Sequence, residues 1–395
     1  MASTRTKLDE QLMRDPKALF ERLWVNGPVQ PVVMPDGVPG WLVIGHAEAR
    51  ALLTDQRLSK NLKRALDLFP ELLGGGYGTA LDENMLNADP PDHTRLRALV
   101  NKAFTSRAVA GLAPRIEQIA DELLDGMIAG QIDLIEAFAF PLPVTVICEL
   151  LGAPVGDRAL MRDWSRAFTS NMPGDVVGRA AQEMLAYLRA LAGHKRAEPG
   201  RDLLSELIAV SEDGDRLTDD EIVAMVFLLV VAGHETTVSL LASGVLGLLR
   251  HPDQLALLRS RPELMPGAIE EFLRFESPVN IATLRYTTEP VRVGEVEIPA
   301  GEFVLISLLA ANNDSAKFAD PKRLDVTREA GGHVAFGHGI HHCVGAPLAR
   351  LEARIALGRL LARFDDISLA GSPDELAWRD STLIHGLQTL PVRIG

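Results

Sequence analysis

A cysteine lies in an unusual run of the chain, FGHGIHHCVGAPLAR at 336–350. Cys343 precedes a predicted helix, where free backbone N–H groups and the helix dipole lower a thiol pKa and favour the metal-binding thiolate. Gly337 and Gly339 allow turns with positive φ, and Gly345 would let a flat cofactor lie against the backbone. The segment therefore predicts a thiolate that ligates a flat, metal-bearing group, and its geometry suits haem.

Two other interpretations of this cysteine stay open. Free cysteine is commonly a small buried hydrophobe, and the second cysteine, Cys148 in the apolar run VTVICELL, is predicted to be plain core of this kind. A zinc site could also be built from His338, His341, His342 and Cys343. The zinc interpretation leaves a second polar motif, in a different part of the chain, without an explanation.

That second motif is AGHETT at 232–237, within a segment that is otherwise apolar. Glu235 and Thr236 are an acid and an alcohol where polar groups are costly unless they are satisfied or used. Thr236 can bond the carbonyl of Ala232, four residues back, which would bend a helix and open a groove for dioxygen and water. The alternative is a solvated bend that performs no chemistry.

The element that must position this motif is a long helix. Thr218 and Glu221, three residues apart, form a capping-box pattern, and the apolar periodicity then continues to about Leu249. Some thirty residues rise about 45 Å, enough to cross a whole domain. The most apolar part, 222–232, is shorter than the roughly 20 residues of a bilayer span, so we expect a buried central helix.

The other elements are mainly helical. Strand-like pieces near 29–44 predict a small N-terminal sheet, and 285–313 predicts a second sheet with turns at Gly294 and Gly301. An irregular stretch at 61–86 includes a glycine-rich run at 74–78, a candidate mobile loop. An amphipathic helix is expected to begin at or just after Cys343. Helical patterns occur at 93–101, 113–128, 140–152, 157–170, 176–196 and 262–275, so the fold class is mainly α with minor β.

Composition excludes several classes of protein. The chain has 395 residues, 47% of them hydrophobic and 24% charged, which indicates a globular protein with a large core. A net charge of −13 argues against nucleic-acid binding, because phosphate contacts need dense lysine and arginine. The charged first twenty residues lack the apolar run of a signal peptide. Two cysteines fit a reducing compartment, so we expect a cytoplasmic protein.

The cysteine segment matches the pattern F-x-x-G-x-x-x-C-x-G, and the chain thereby resembles the cytochrome P450 family. AGHETT, EEFLRF and DHTRLR are similar to three more motifs of that family, in the right order, so the likeness covers essentially the whole chain. The resemblance implies a single cytochrome P450 domain over 1–395, with haem b between the central helix and the helix that follows Cys343. Cys343 would then be the iron ligand, with Glu235 and Thr236 in the oxygen-activation motif. The family pattern leaves the position of His234 free, and we expect it to line the pocket.

The resemblance also implies partners for the two haem propionates. They are His93, Arg97, Arg285 and His341, while Phe336 would shield the thiolate sulfur. His93 and Arg97 are four residues apart and therefore share one helix face. Arginine is suited to bidentate carboxylate binding where water is scarce. Without that context, the pair would be an ordinary solvated basic face.

A third implied group is structural. Glu271 and Arg274, three residues apart in EEFLRF, would form a buried brace with Arg323 of DPKRLD. Judged by spacing alone, the first two residues could equally be an ordinary surface ion pair.

The implied activity is that of a haem-thiolate monooxygenase, which inserts one oxygen atom from dioxygen into its substrate. No Rossmann, flavin or iron–sulfur motif is found in the sequence, so electrons are expected from a ferredoxin and a ferredoxin reductase. Arg350, Arg354 and Arg359 on the last long helix are predicted to form the docking patch for the ferredoxin. The alternative for these arginines is an ordinary solvated helix face.

The substrate is predicted to be sizeable and largely apolar, because few large aromatics occur among the expected pocket positions. These positions are 61–86, 165–180, Val230, Val231, 279–283, Ile384 and His385. The chain most resembles the soluble bacterial branch that hydroxylates macrolides, other polyketides, steroids and vitamin D. Epoxidation, dealkylation, oxidative coupling, a peroxide-driven enzyme and a non-catalytic haem sensor or carrier remain alternatives.

Overall fold

A computed structural model describes residues 5–8, 10–34, 37–69, 79–212 and 217–395; the glycine-rich run at 74–78 lies outside them. The helices of the described residues are α1 (Gln11–Arg14), α2 (Pro16–Leu23), α3 (His46–Thr54), α4 (Leu62–Leu68), α5 (Asp92–Ala103), α6 (Ser106–Gly111), α7 (Ala113–Asp125), α8 (Pro141–Leu151), α9 (Arg158–Thr169), α10 (Gly174–Ala197), α11 (Leu203–Glu212), α12 (Asp219–Arg250), α13 (Pro252–Ser260), α14 (Met265–Glu276), α15 (Leu308–Asn312) and α16 (Ala346–Arg363). The strands are β1 (Thr6–Lys7), β2 (Val29–Val33), β3 (Pro39–Val43), β4 (Leu58–Ser59), β5 (Gly130–Asp133), β6 (Tyr286–Thr287), β7 (Val291–Val293), β8 (Val296–Ile298), β9 (Phe303–Ile306), β10 (Ile367–Leu369) and β11 (Pro391–Ile394). The prediction of a mainly α fold with minor β is confirmed.

The long central helix is confirmed as α12, which has 32 residues. Its predicted capping box is formed: the Thr218 hydroxyl accepts the N–H of Glu221 at 3.1 Å, and the Glu221 carboxylate accepts the N–H of Thr218 at 2.8 Å. Helices α8, α9, α10, α14 and α16 all pack against it. The helix is long and apolar enough to cross a membrane, but 72% of its most apolar window is buried inside the protein, as expected of a core helix.

The predicted N-terminal sheet is confirmed, but the second sheet was predicted wrongly. Strand β9 pairs in parallel with β3 and β6 pairs with β4, so these strands extend the N-terminal sheet in the order β1-β2-β3-β9-β6-β4. Only β7 and β8 form a separate hairpin. The end of the predicted strand is helix α15, because the Ser307 hydroxyl accepts the N–H of Ala310 at 3.0 Å and caps a helix there. Strands β10, β11 and β5 form a further sheet that the sequence did not predict.

Two other local predictions were also wrong. The described part of 61–86 is not irregular throughout: Asn61 accepts the N–H of Arg64 at 3.0 Å and caps helix α4. Helix α16 begins at Ala346 as expected, but it is not amphipathic, because it packs against α7, α12 and α14 and is buried on several sides. A helix enclosed by neighbours needs no polar face.

A buried ion-pair network fixes the segment that leads to Cys343. Glu271 and Arg274 are fully buried, and two bonds of 2.7 and 2.8 Å join the guanidinium to the carboxylate. The prediction that Arg323 is the third member of this network was wrong. Arg323 is exposed, and Arg328 instead donates to Glu271 at 3.1 Å. Arg274 also donates to the carbonyls of Asn312 and Pro321. The surface-pair alternative is excluded, and the network ties α14 to the chain before the cysteine loop.

Candidate active site

The cysteine loop has the backbone shape that its glycines predicted. Gly337 and Gly339 have φ of 72° and 76°, in the left-handed region that favours glycine. The N–H of Cys343 donates to the carbonyl of Phe336 at 2.9 Å, which closes the loop before α16. Gly345 has an ordinary φ of −79°, and a Cβ there would meet only the Cys343 sulfur, at 3.8 Å. The backbone conformation at 345 therefore does not require glycine. The missing side chain instead leaves the space beside the thiol open.

The thiol of Cys343 is solvent-accessible, yet protein surrounds it closely enough that burial raises its pKa. The N–H groups of Gly345 and Ala346 and the charge of Arg97 act in the opposite direction. The N–H groups at the helix start thus lower the pKa of Cys343 as predicted, but in the protein alone burial raises this pKa by more. A metal cation would shift the balance to the thiolate.

Phe336 lies beside this loop and is half-buried. The guanidinium carbon of Arg350 lies 4.5 Å from the centre of its ring, and Arg350 is itself held by Glu270 at 2.7 Å. A cation over an aromatic face at this distance is attractive. Arg350 thus holds the ring of Phe336, the residue for which the family resemblance implies shielding of the sulfur.

The zinc interpretation is not supported by the positions of the side chains. Within the described residues, which include the whole 336–350 segment, no three His, Cys, Asp or Glu side chains are grouped to hold a metal ion. Cys148 is core, as predicted: it is 1% exposed in α8, and burial raises its pKa to about 11.

The polar motif of α12 faces two directions. Thr236 lines a cavity together with Ala232, and its hydroxyl donates to the carbonyl of Ala232 at 3.0 Å, the bond that the sequence predicted. The helix nevertheless runs without interruption through 232–237. Glu235 is buried on another side, and His234 does not line this cavity as expected, because its ring is fully buried and bonded to the carbonyl of Val230 at 2.8 Å.

The carboxylate of Glu235 is held by an arginine from the far end of the chain. Arg379 forms an ion pair with it and also donates to the hydroxyls of Thr169 at 2.9 Å and Ser170 at 3.2 Å. Burial alone raises the pKa of Glu235, but the neighbouring His234 and the charge of Arg379 hold that pKa at about 2. Glu235 is therefore ionised at neutral pH. Nothing in the sequence near Arg379 indicated this role.

A cluster of basic side chains contains all four residues implied as propionate partners. Both ring nitrogens of His93 are buried without a hydrogen-bond partner in the described protein, and its ring centre lies 4.3 Å from that of His341. Burial lowers the pKa of Arg285 to about 10, although Asp89 opposes this shift. Burial and nearby positive charges lower the pKa of His341 to about 2, and Arg97 is one of those charges.

This cluster fits haem b. Buried cations and orphaned ring nitrogens are costly unless an anion satisfies them, and two propionates supply two carboxylates. The cluster lies near the cysteine loop, since Arg97 acts electrostatically on both His341 and Cys343. The space beside the thiol at Gly345 suits the flat ring. The chemistry of this donor set therefore agrees with a thiolate-bound haem.

Thr236 lines a cavity of about 540 Å³ beside the central helix. Most of its lining is apolar, and two of its rings, Phe168 and Phe227, meet edge to face at 4.8 Å. Of the predicted pocket residues, Val231 and Ile384 line it but Val230 and His385 do not. The lining includes parts of 79–87, 167–172, 227–236, 279–285 and 381–384.

A larger cleft of about 1040 Å³ lies elsewhere, between α2, the end of α12 and residues 373–378. His385 lines this cleft and bonds Glu276 at 3.1 Å. The cleft contains neither Thr236 nor the basic cluster, so we assign the reaction to the smaller cavity.

Comparison with known proteins gives consistent matches. The family model described as Cytochrome P450 matches residues 175–376. Cytochrome P450 107B1 of Saccharopolyspora erythraea is 52% identical over 93% of this chain and 92% of its own length. Vitamin D(3) 25-hydroxylase of Pseudonocardia autotrophica is 48% identical over 97% of this chain and 94% of its own. The structure of the P450 monooxygenase TamI bound to tirandamycin C is 48% identical, with a TM-score of 0.93, over 99% of this chain and 100% of that one.

Proposed function

The chain belongs to the cytochrome P450 family and is a P450 monooxygenase, and from that premise we propose that it hydroxylates a sizeable, largely apolar molecule. The observation that carries this proposal is the mainly apolar lining of the cavity that contains Thr236. A polyketide, macrolide or steroid-like skeleton has the apolar surface that such a lining would bury. The relative named for vitamin D(3) hydroxylation supports the same class.

In this proposal, Cys343 ligates the iron of haem b through its sulfur, and Phe336 and Gly345 shape the space around it. His93, Arg97, Arg285 and His341 bind the propionates. When bound, haem with a thiolate ligand supplies the chemistry that activates dioxygen. The protein's own tasks are to hold the substrate in the cavity, exclude bulk water and provide protons.

Thr236 is the residue we propose to deliver protons on the cavity side. At rest its hydroxyl donates its one hydrogen to the carbonyl of Ala232. To relay a proton, it would turn that hydrogen towards the cavity, release it there and take a replacement from ordered water. Glu235 is ionised and paired with Arg379, so it must leave that pair and take up a proton before it can act as the next donor. Glu235 and Thr236 together are the proposed relay.

A substitution at Thr236 tests the relay. In Thr236→Ala, electron consumption should continue while the product formed per electron falls several-fold. The reason is that proton delivery to the reacting oxygen becomes slower than electron delivery. Product, NADPH consumption and hydrogen peroxide are measured together. Thr237→Ala is the matched control, since Thr237 is buried next to Thr236 but does not line the cavity. Full coupling in Thr236→Ala would rule out this role.

We propose that a ferredoxin, reduced by a ferredoxin reductase, supplies the electrons, but the docking patch differs from the expected one. Arg350 is paired with Glu270, and Arg359 with Glu117 and Asp121. Among the three predicted arginines, Arg354 alone is exposed without an ion pair within the described residues. Arg107 is exposed on α6, and α6 contacts α16. Arg354 and Arg107 form the proposed patch for an acidic partner.

The first experiment is the absorption spectrum of the purified protein after reduction under carbon monoxide. A strongly red-shifted Soret band would support thiolate-bound haem, and its absence after haem reconstitution would overturn the proposal. A low-to-high-spin shift on adding macrolides or steroids would identify the substrate class. Formation of product with reductase, ferredoxin and NADPH would distinguish an enzyme from a non-catalytic haem sensor. Formation of product with peroxide alone would support the peroxide-driven alternative.

We also propose that residues 1–395 form one domain that works in the cytoplasm. The relatives match over nearly their whole length, which supports one domain. The two cysteines are not paired with each other, which fits a reducing compartment.

A further inference from the structure

Lys60 lies between β4 and α4 and is only 2% exposed. Its ammonium donates to the hydroxyl of Thr283 at 2.6 Å and to the carbonyl of Leu284 at 3.3 Å. Both acceptors are neutral, and no carboxylate within the described residues forms an ion pair with Lys60. A buried ammonium that forms no ion pair is costly, so its position favours a further anion within reach of its hydrogens.

Other basic side chains lie around Lys60. Lys60, Arg97 and Arg285 are the lysine and arginine side chains of the basic cluster, since all three act electrostatically on His341. The carboxylate that acts on both Lys60 and Arg285 is Asp89. Among the described residues, three basic side chains therefore share one carboxylate, so bases outnumber acids in this cluster. Asp89 is already engaged, because it accepts the hydroxyl of Ser59 at 2.5 Å and the N–H of Lys60 at 2.9 Å.

We propose that Lys60 is a further propionate-binding residue, which donates its ammonium hydrogens to a haem carboxylate. Lys60 and Arg285 both bond to Thr283, because Arg285 donates to its carbonyl at 2.9 Å, so a carboxylate between the two side chains would accept from both. Thr283 and Leu284 directly precede Arg285, so their bonds to the ammonium place it beside Arg285 on the same stretch of chain. This inference rests on the haem-binding part of the proposed function.

Haem retention by the holoenzyme tests the proposal. In Lys60→Met, transfer of haem to excess apomyoglobin should be about tenfold faster or more, as expected for the loss of a charge-assisted hydrogen bond. Lys60→Arg should stay within a few-fold of the unmodified protein, because it restores the cation. Lys63→Met is the matched control: Lys63 lies on α4, is exposed and pairs with Glu83 at 2.9 Å, so haem loss should not change.

A second measurement separates propionate binding from a purely structural role. Loss of a cation near the haem disfavours the added electron, so the reduction potential of Lys60→Met should fall, while that of Lys63→Met should not. Thr283→Val keeps the ammonium but removes one of its bonds. Its potential should therefore stay close to that of the unmodified protein. If Lys60→Met does not fold, Lys60→Gln, which removes the charge but keeps a polar group, is used for the same measurements.

Unchanged haem transfer and unchanged potential in Lys60→Met would overturn this inference. So would a variant that retains haem normally but loses binding of a fatty acid such as myristic acid, because Lys60 would then serve a substrate carboxylate. Both results would leave the red-shifted carbon monoxide band in place. Loss of that band in the unmodified protein would instead overturn the proposed function itself.

Discussion

The ion pair between Arg379 and Glu235 joins the C-terminal part of the chain to the centre of α12. We consider Arg379→Met, which nearly preserves side-chain length, Glu235→Gln, which preserves shape, and the double variant. The single change at Arg379 leaves a buried carboxylate whose remaining ion-pair partner among the described residues is His234, at 3.5 Å. It also removes the bonds to Thr169 and Ser170. The double variant removes both charges and leaves neither unpaired.

The size of the effect follows from burial and from the pKa. The two side chains are 10% and 4% exposed, and removal of one member of such a pair costs about 3–5 kcal/mol. Independently, a pKa lowered from 4.5 to about 2 corresponds to about 3 kcal/mol of stabilisation by ionised Glu235. The folded-state pKa is the lower one, so this stabilisation is present above about pH 4.5 and is lost as the pH falls towards 2. Both values are a few kcal/mol, although the pKa of Glu235 also includes the effect of His234.

Calorimetry of the four holoenzymes at equal haem content measures the coupling. For a chain of this length, 1 kcal/mol changes Tm by about 1 °C, so Arg379→Met should lower Tm by roughly 4 °C. The double variant should lose clearly less than the sum of the single variants, with a coupling energy of about 2–3 kcal/mol. Arg189→Met is the control, because the Arg189–Asp220 pair is about half exposed and should contribute under about 1 kcal/mol. Additive single effects would refute the reasoning.

Three further predictions concern other parts of the protein. Gly339→Ala should weaken haem retention and stability by at least about 1–2 kcal/mol, because φ is +76° and the new Cβ would lie 2.9 Å from a side chain of α3; unchanged thermal unfolding would contradict this. Glu276→Gln should lower Tm at pH 7 but progressively less below about pH 4.5, because Lys17 and His385 overcome burial and hold the pKa of Glu276 at about 2; a pH-independent difference would argue against the ion pairs. Arg354→Glu should slow ferredoxin-supported reduction several-fold at low salt and leave substrate binding unchanged; stopped-flow reduction at several salt concentrations checks this.

The sequence predicted those features that depend on residues close together in the chain. The capping box of Thr218 and Glu221 and the bond from Thr236 to Ala232 join residues three or four apart, a spacing that helix geometry fixes. The positive φ of Gly337 and Gly339 likewise follows from residue type. The basic cluster was predicted differently, from the resemblance to a known family, because its members come from separate segments.

Only the tertiary structure decided which distant side chains meet. Arg379 pairs with Glu235 across 144 positions of sequence, and Lys60 reaches Thr283 across 223. Arg328, rather than the expected Arg323, reaches Glu271, although the two arginines are only five residues apart. Periodicity and local propensity carry no information on such long-range pairs, because folding selects them by burial and charge once the helices have packed. The same packing paired Arg350 and Arg359 with acids and left Arg354 exposed, which no reading of the helix alone could determine.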